Sequence, residues 1–221
     1  MTNHLAIIGD IISSKQVKDR RKLQESIKEA FEVIHNQYPD LILSEFTLTL
    51  GDEFQALLVP SDRTFELLDQ LERLIPVPFR FGLGYGNLST DFDQYLSIGA
   101  DGPAYWNARE AIDTIYDHNW SGKTKGYMIT KDKIFDRTIN NLILLSDTLK
   151  TEWTNLQKTT FKQMLDKEIY TPDFNQKKFA ESIGISPSSL SKRLNSGNIK
   201  IYLHTRNTMG YLLEAFDEST K

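Results

Sequence analysis

Apolar and polar positions along the chain switch between two periods, and the switch points outline its elements. Leu5–Ile12 is a short isoleucine-rich run interrupted only by Gly9 and Asp10, the pattern of a buried strand. From Asp19 to Tyr38 the residues Leu23, Ile27, Ala30, Phe31 and Ile34 recur at helical spacing, which predicts an amphipathic helix. Glu45–Leu50 and Glu53–Val59 predict two strands joined at Gly51-Asp52, a dipeptide suited to a tight hairpin. Ser61 is the expected cap of a second helix with Phe65, Leu68, Leu71 and Ile75 inward, ended by Pro76 and Pro78. Pro78–Gly86 is the next strand. Pro103 is placed to start a third helix whose inner stripe is Ala104, Ala108, Ile112 and Ile115, and Tyr127–Thr130 is a short closing strand. Leu142–Lys167 is mostly helical in pattern.

The order β-α-β-β-α-β, then helix and strand, is that of a ferredoxin-like α+β fold. It predicts a four-stranded antiparallel sheet with helices on one face. The chain divides into a palm domain over 1–140, a helical connector over 141–171 and a helical domain over 172–221, with the boundary at Thr171-Pro172-Asp173.

The last segment has its own chemistry. Asn175–Gly197 reads as two short helices separated by Gly184, which permits the positive φ of a turn, with Phe179, Ala180, Ile183 and Ile185 packing inward. Ser186 and Pro187 suit the cap and first position of the second helix, and Leu190 and Leu194 face inward. Ser188, Ser189, Ser191, Lys192 and Asn195 are left outward, short polar and basic side chains fit for base edges and phosphates of double-stranded DNA. Charge agrees. Net charge is −4, yet Phe174–Arg206 holds six basic residues against Glu181 alone, so this segment is +5 and the remainder −9. The basic segment would attract nucleic acid and the acidic body would repel it. The alternative is a helical pair that contacts protein.

Two carboxylates mark the palm. Asp10 ends the first strand and Asp52 lies in the hairpin between the second and third, so neighbouring central strands can bring them face to face. Two hard oxygen ligands at that spacing suit Mg²⁺ or Mn²⁺, which would keep water and nucleotide phosphates as their other ligands. A turn aspartate and a strand-capping aspartate are the structural alternatives. Glu53 points away from Asp52 if both lie on the strand. Arg109, near a helix start, either meets phosphate or is a solvated helix-face arginine.

These residues resemble known families. Leu48-Thr49-Leu50-Gly51-Asp52-Glu53-Phe54 looks like the metal-binding hairpin of diguanylate cyclases and class III nucleotidyl cyclases, and Ile7-Ile8-Gly9-Asp10 is similar to their first metal-binding strand. Arg80-Phe81-Gly82-Leu83-Gly84 resembles the strand after their second helix, and Gly102–Arg109 the segment opening the next helix with an asparagine and an arginine. Leu50 stands where diguanylate cyclases have a second glycine, and Arg109 follows Asn107 by two positions only. The resemblance implies Asp10 and Asp52 as metal ligands and Gly51, Glu53, Asn107 and Arg109 as nucleotide contacts. Taken whole, the chain resembles the SatD family, a short cyclase-like palm joined through a Trp153-Thr154 element to a terminal helix-turn-helix.

No cysteine is present, which excludes disulfides and thiolate metal sites. The first apolar run stops at Asp10, short of a signal peptide or membrane span, so a cytoplasmic home and no membrane partner are expected. Gly122-Lys123-Thr124 imitates a P-loop end without its earlier glycine, and Gly82, Gly84 and Gly86 alternate along a strand, where they suit close approach of a ligand or a backbone. The expectation is a homodimeric, nucleotide- and metal-responsive DNA-binding regulator. Its alternative is a nucleotidyl cyclase or nucleotidyltransferase in which Asp10 and Asp52 are catalytic and the helix-turn-helix is regulatory.

Overall fold

The computed structural model describes residues 2–12, 17–49, 52–118 and 120–220. Five strands form one sheet in the order β2-β3-β1-β4-β5. They are β1 (His4–Ile11), β2 (Ile42–Leu48), β3 (Glu53–Leu58), β4 (Phe79–Gly86) and β5 (Gly126–Ile129). β1 runs antiparallel to both β3 and β4, whereas β5 joins β4 in parallel. The sheet is therefore mixed and five-stranded rather than a four-stranded antiparallel one.

Strand alternation sorts the helices onto two faces. Leu5, Ile7 and Ile11 of β1 enter one core with α1 (Arg20–Gln37) and α2 (Thr64–Leu74), while Ala6 and Ile8 face α3 (Pro103–His118) on the other side. Helices thus cover both faces, not one. β4 explains why: Gly82, Gly84 and Gly86 all point at α3, and a Cβ on Gly84 would lie 2.0 Å from the Ala104 carbonyl. The backbone admitted by these glycines is that of the chain's own helix. The expected Ser61 cap also differs. α2 starts two residues later with Arg63 at its N-cap, and Ser61 Oγ instead accepts from Arg63 N at 3.2 Å.

The predicted helical stretch after the palm is two helices, α4 (Lys133–Thr151) and α5 (Asn155–Leu165), broken where Thr154 and Gln157 form a capping box. Then come α6 (Gln176–Ser182), α7 (Pro187–Ser196) and α8 (Ile199–Thr220). Gly184 has φ +70°, Ser186 Oγ accepts from Ser189 N at 3.1 Å, and Pro187 opens α7, as the sequence implied.

The last helix belongs to two cores. Its first half places Ile199, Tyr202 and Leu203 in a cluster with Trp153, Phe161, Phe179, Leu190 and Leu194. Its second half places Met209 and Leu213 in the palm core, where Gly210 packs so closely that a Cβ would lie 1.9 Å from the Asp62 carbonyl. Tyr85 of β4 donates to Asp217 at 3.0 Å. Among the described residues no helix is long and apolar enough to cross a membrane.

Between the cores lies a buried polar network. Asp69 of α2 accepts from Lys150 Nζ at 2.6 Å, Tyr202 OH at 2.7 Å and Tyr170 OH at 2.5 Å. Arg206 of α8, 1% exposed, donates to Asp147 of α4 at 3.1 Å and lies 3.6 Å from Asp69. Its Nη1 finds no partner among the described residues. Asp147 Oδ2 also accepts from Lys125 N at 2.8 Å, which ties β5 to α4. Burial opposes the charge on Lys150, but Asp69 and Glu72 overcome it and hold the ammonium well above its ordinary pKa.

Removing one member of such a network leaves its partner charged and buried, at a cost of about 3–5 kcal/mol. Arg206→Met is expected to lower the unfolding free energy by that amount, read as a fall in the urea midpoint at unchanged slope. A shift under about 1 kcal/mol, the size of an ordinary substitution, would show that the network does not hold the helices together.

Candidate functional site

β1 ends at the sheet centre with Asp10 flanked on one side by Glu53 and on the other by Arg80, its registered partners on β3 and β4. All three belong to the face that α3 covers. Asn107 fixes α3 there by donating to the Tyr85 carbonyl at 2.8 Å from a buried position. With the helix so placed, Arg109, Asp113 and Tyr116 form one stripe along the carboxylates. Arg109 donates two bonds of 2.7 Å to Glu53, one to each carboxylate oxygen. Tyr116 OH donates to Asp10 Oδ2, and the Arg80 guanidinium lies 4.6 Å above the Tyr116 ring and 4.0 Å from Asp10.

Asp52 sits just before β3 and is half-buried; its carbonyl accepts from Ile11 N at 3.0 Å, closing the sheet next to Asp10. Because Asp52 precedes the strand, Glu53 takes the strand's first position on the α3 face. Burial raises the Asp10 pKa most strongly; the Tyr116 hydrogen bond opposes this, the charges of Asp52 and Glu53 add to the rise, and Arg80 opposes it. Asp10 and Asp52 therefore lie within electrostatic reach of each other. Glu53 is neutralised by Arg109. Among the described residues no group of three or more His, Cys, Asp or Glu side chains is gathered to hold a metal. An ion at Asp10 and Asp52 would take its remaining ligands from water or phosphate. Gly51 lies outside the described residues.

Beside the carboxylates an open groove of about 460 Å³ runs along α3, lined by Ile8, Gln55, Tyr105, Trp106, Arg109 and Asp113. The Trp106 ring is 56% exposed and is steadied by its Nε1 donating to Asp101 at 2.6 Å. Tyr105 is buried, and its hydroxyl has no hydrogen-bond partner among the described residues. Sequence reasoning singled out Asp10, Glu53 and Arg109 here but not Arg80, Tyr105, Trp106 or Tyr116. Arg80 shares a face with Gly82 and Gly84 by strand alternation, and Tyr116 follows Arg109 by two helical turns, so both periodicities contained the signal.

The second candidate surface is α7. Ser188, Ser189, Lys192 and Asn195 are exposed and Ser191 is half-buried. Ser186 Oγ shares hydrogen bonds of 3.0 Å with Ser188 and Ser189, and Asn195 donates to Ser191 at 3.4 Å. Lys177 and Lys178 of α6 are exposed nearby. The basic character is smaller at the surface than in the sequence. Arg206 is buried against Asp147 and Asp69, so the segment counted as +5 presents +4 to solvent.

The matching protein family is the SatD family, whose model spans residues 4–213, and the chain belongs to it. No curated protein matches the sequence at a significant level. A bacterial light-regulated adenylyl cyclase of known structure is weakly similar, with 12% identity, a TM-score of 0.41, and coverage of 57% of this chain and 75% of that one.

The raised Asp10 pKa has a sign. Above the ordinary carboxylate range the folded state holds its proton more tightly than the unfolded chain, so stability falls as pH rises through the folded pKa. Asp10→Asn removes this cost. The variant is expected to melt a few degrees above wild type at pH 7, with the difference closing as pH falls to about 4, the ordinary aspartate value. Equal melting at both pH values would show that Asp10 carries no electrostatic cost.

Proposed function

We propose that the protein is a nucleotide- and metal-responsive DNA-binding regulator in which the palm is the sensor and α6–α7 the reader. The observation that carries the reading is the groove on the α3 face. It sets an exposed indole beside an arginine that reaches Glu53, the strand partner of Asp10, which suits the base and phosphates of a nucleoside triphosphate whose Mg²⁺ would lie at the neighbouring carboxylates. Asp10 and Asp52 would hold the ion, Arg109 would exchange Glu53 for phosphate, and Trp106 would stack on the base. Asn107 acts through its bond to Tyr85, by docking the helix that carries Arg109.

On the DNA side, the support is a short capped helix whose outward face is serine, lysine and asparagine, preceded by a glycine turn and an exposed lysine pair. A cytoplasmic homodimer would place two such helices one DNA turn apart. Because α8 enters both cores, a change at the palm has a rigid element through which to move α7. Linkage then requires nucleotide and DNA to alter each other's affinity by the same factor.

Two measurements test this reading. Mn²⁺ with a nucleoside triphosphate should raise the melting temperature of the wild type, by the equivalent of about 2.7 kcal/mol at a hundredfold excess over Kd. Asp10→Asn and Asp52→Asn should each lose that increment; retention in both removes the metal site. Duplex DNA should bind the full chain with strong salt dependence, and Lys192→Ala should reduce the log–log salt slope by about one. Absence of duplex binding at low salt would leave α6–α7 as a protein-contact module.

A further inference from the structure

A cavity of about 360 Å³ opens at the junction of the two cores, away from the carboxylates of the palm. Its floor is apolar, made by Ile75, Val77 and Pro78 on the approach to β4 and by Trp153, Phe161 and Leu165 on the other side. That volume lies in the range of small-molecule sites. Its polar wall is the network already described.

Charge balance identifies what the cavity would take. Asp69, Glu72 and Asp147 are three carboxylates, and Lys125, Lys150 and Arg206 are the three cations that meet them. Arg73 at the rim is paired with Asp166 at 2.6 Å. The network and rim are thus neutral before Lys158 and Lys162 are counted. These two line the same cavity and carry no ion pair or side-chain hydrogen bond among the described residues. They are four residues apart on α5, hence on one face with Cβ atoms about 6 Å apart. The excess of two positive charges sits at the mouth above an aromatic and aliphatic floor.

We propose that this cavity binds a phosphate monoester carrying a planar aromatic ring, of the nucleoside monophosphate class, with the dianion held by Lys158 and Lys162 and the ring laid over the floor of Trp153, Phe161 and the Ile75–Pro78 turn. The site is independent of the palm carboxylates. Its wall supports the outward helix directly. Trp153 Nε1 donates to the Gly197 carbonyl at 2.6 Å, and Gln157 donates to Ser196 at 3.0 Å, both at the C-terminal end of α7. A ligand against Trp153 therefore bears on the element that presents Lys192 and Asn195.

The test uses the full chain with Trp106→Phe and Trp120→Phe, so that Trp153 is the sole indole. Titration with AMP, GMP, CMP and UMP is expected to change its fluorescence saturably for at least one of the four. Inorganic phosphate should bind at least tenfold more weakly, since it lacks the ring. Lys158→Gln with Lys162→Gln, both exposed positions, should weaken the nucleotide by about tenfold or more through loss of charge-assisted bonds. Asp10→Asn should leave that affinity unchanged, which separates this site from the palm. The proposal is overturned if no monophosphate acts at millimolar concentration, if the double variant binds as well as its parent, or if phosphate alone equals the nucleotide. It is equally overturned if the lysine changes affect only duplex DNA affinity, which would make α5 part of the DNA footprint.

Discussion

Burying the guanidinium of Arg206 constrains the position of the last helix, and through it the relation of every other part. An unpaired cation there would cost several kcal/mol, so α8 can lie only where Asp147 of α4 and Asp69 of α2 are both in reach. Tyr202, one turn earlier, accepts from Arg206 and donates to Asp69, which fixes the rotation of the helix as well as its height. Gly210 then lets the following turn touch the Asp62 backbone. The network defines one register for α8 and so fixes how its two halves enter the two cores.

The molecule treats its buried carboxylates in two ways. At the junction, three carboxylates meet three cations, and Glu72 shows the result: despite its burial, Lys150 and Lys125 pull its pKa down to about 2. Near Asp10 the balance runs the other way, with burial and two further acids raising the pKa while Arg109 is spent on Glu53. The first arrangement holds elements together. The second retains an electrostatic cost at the sheet centre, near a groove with an exposed indole and a tyrosine hydroxyl that has no partner among the described residues, the kind of arrangement found where ligands bind.

Much of the fold was legible because it rests on local periodicity. The strands around Gly9 and Phe54, the stripe of α3 and the Ser186-Pro187 start of α7 follow from alternation, spacing and capping chemistry. What stayed hidden depends on pairing across the chain. Nothing near Gly82 or Gly84 says which backbone will fill their space, so the coverage of both sheet faces was missed. Arg206 reads as part of a basic segment until Asp69 and Asp147, far away in sequence, are seen beside it. At the palm, Asp10, Glu53 and Arg109 carried motif-like signals; Tyr105 and Tyr116 read as ordinary helix residues until the helix was docked.

The central claim is that α8 makes the sheet and its helices one cooperative unit with α6 and α7. Native-state hydrogen exchange in increasing urea tests it most directly, comparing amides of β1 with those of α7 and both halves of α8. The account predicts that the slowest amides in all four segments open with the same free energy and the same urea dependence. Opening of α7 and the first half of α8 at distinctly lower free energy, while β1 and the second half stay protected, would contradict it.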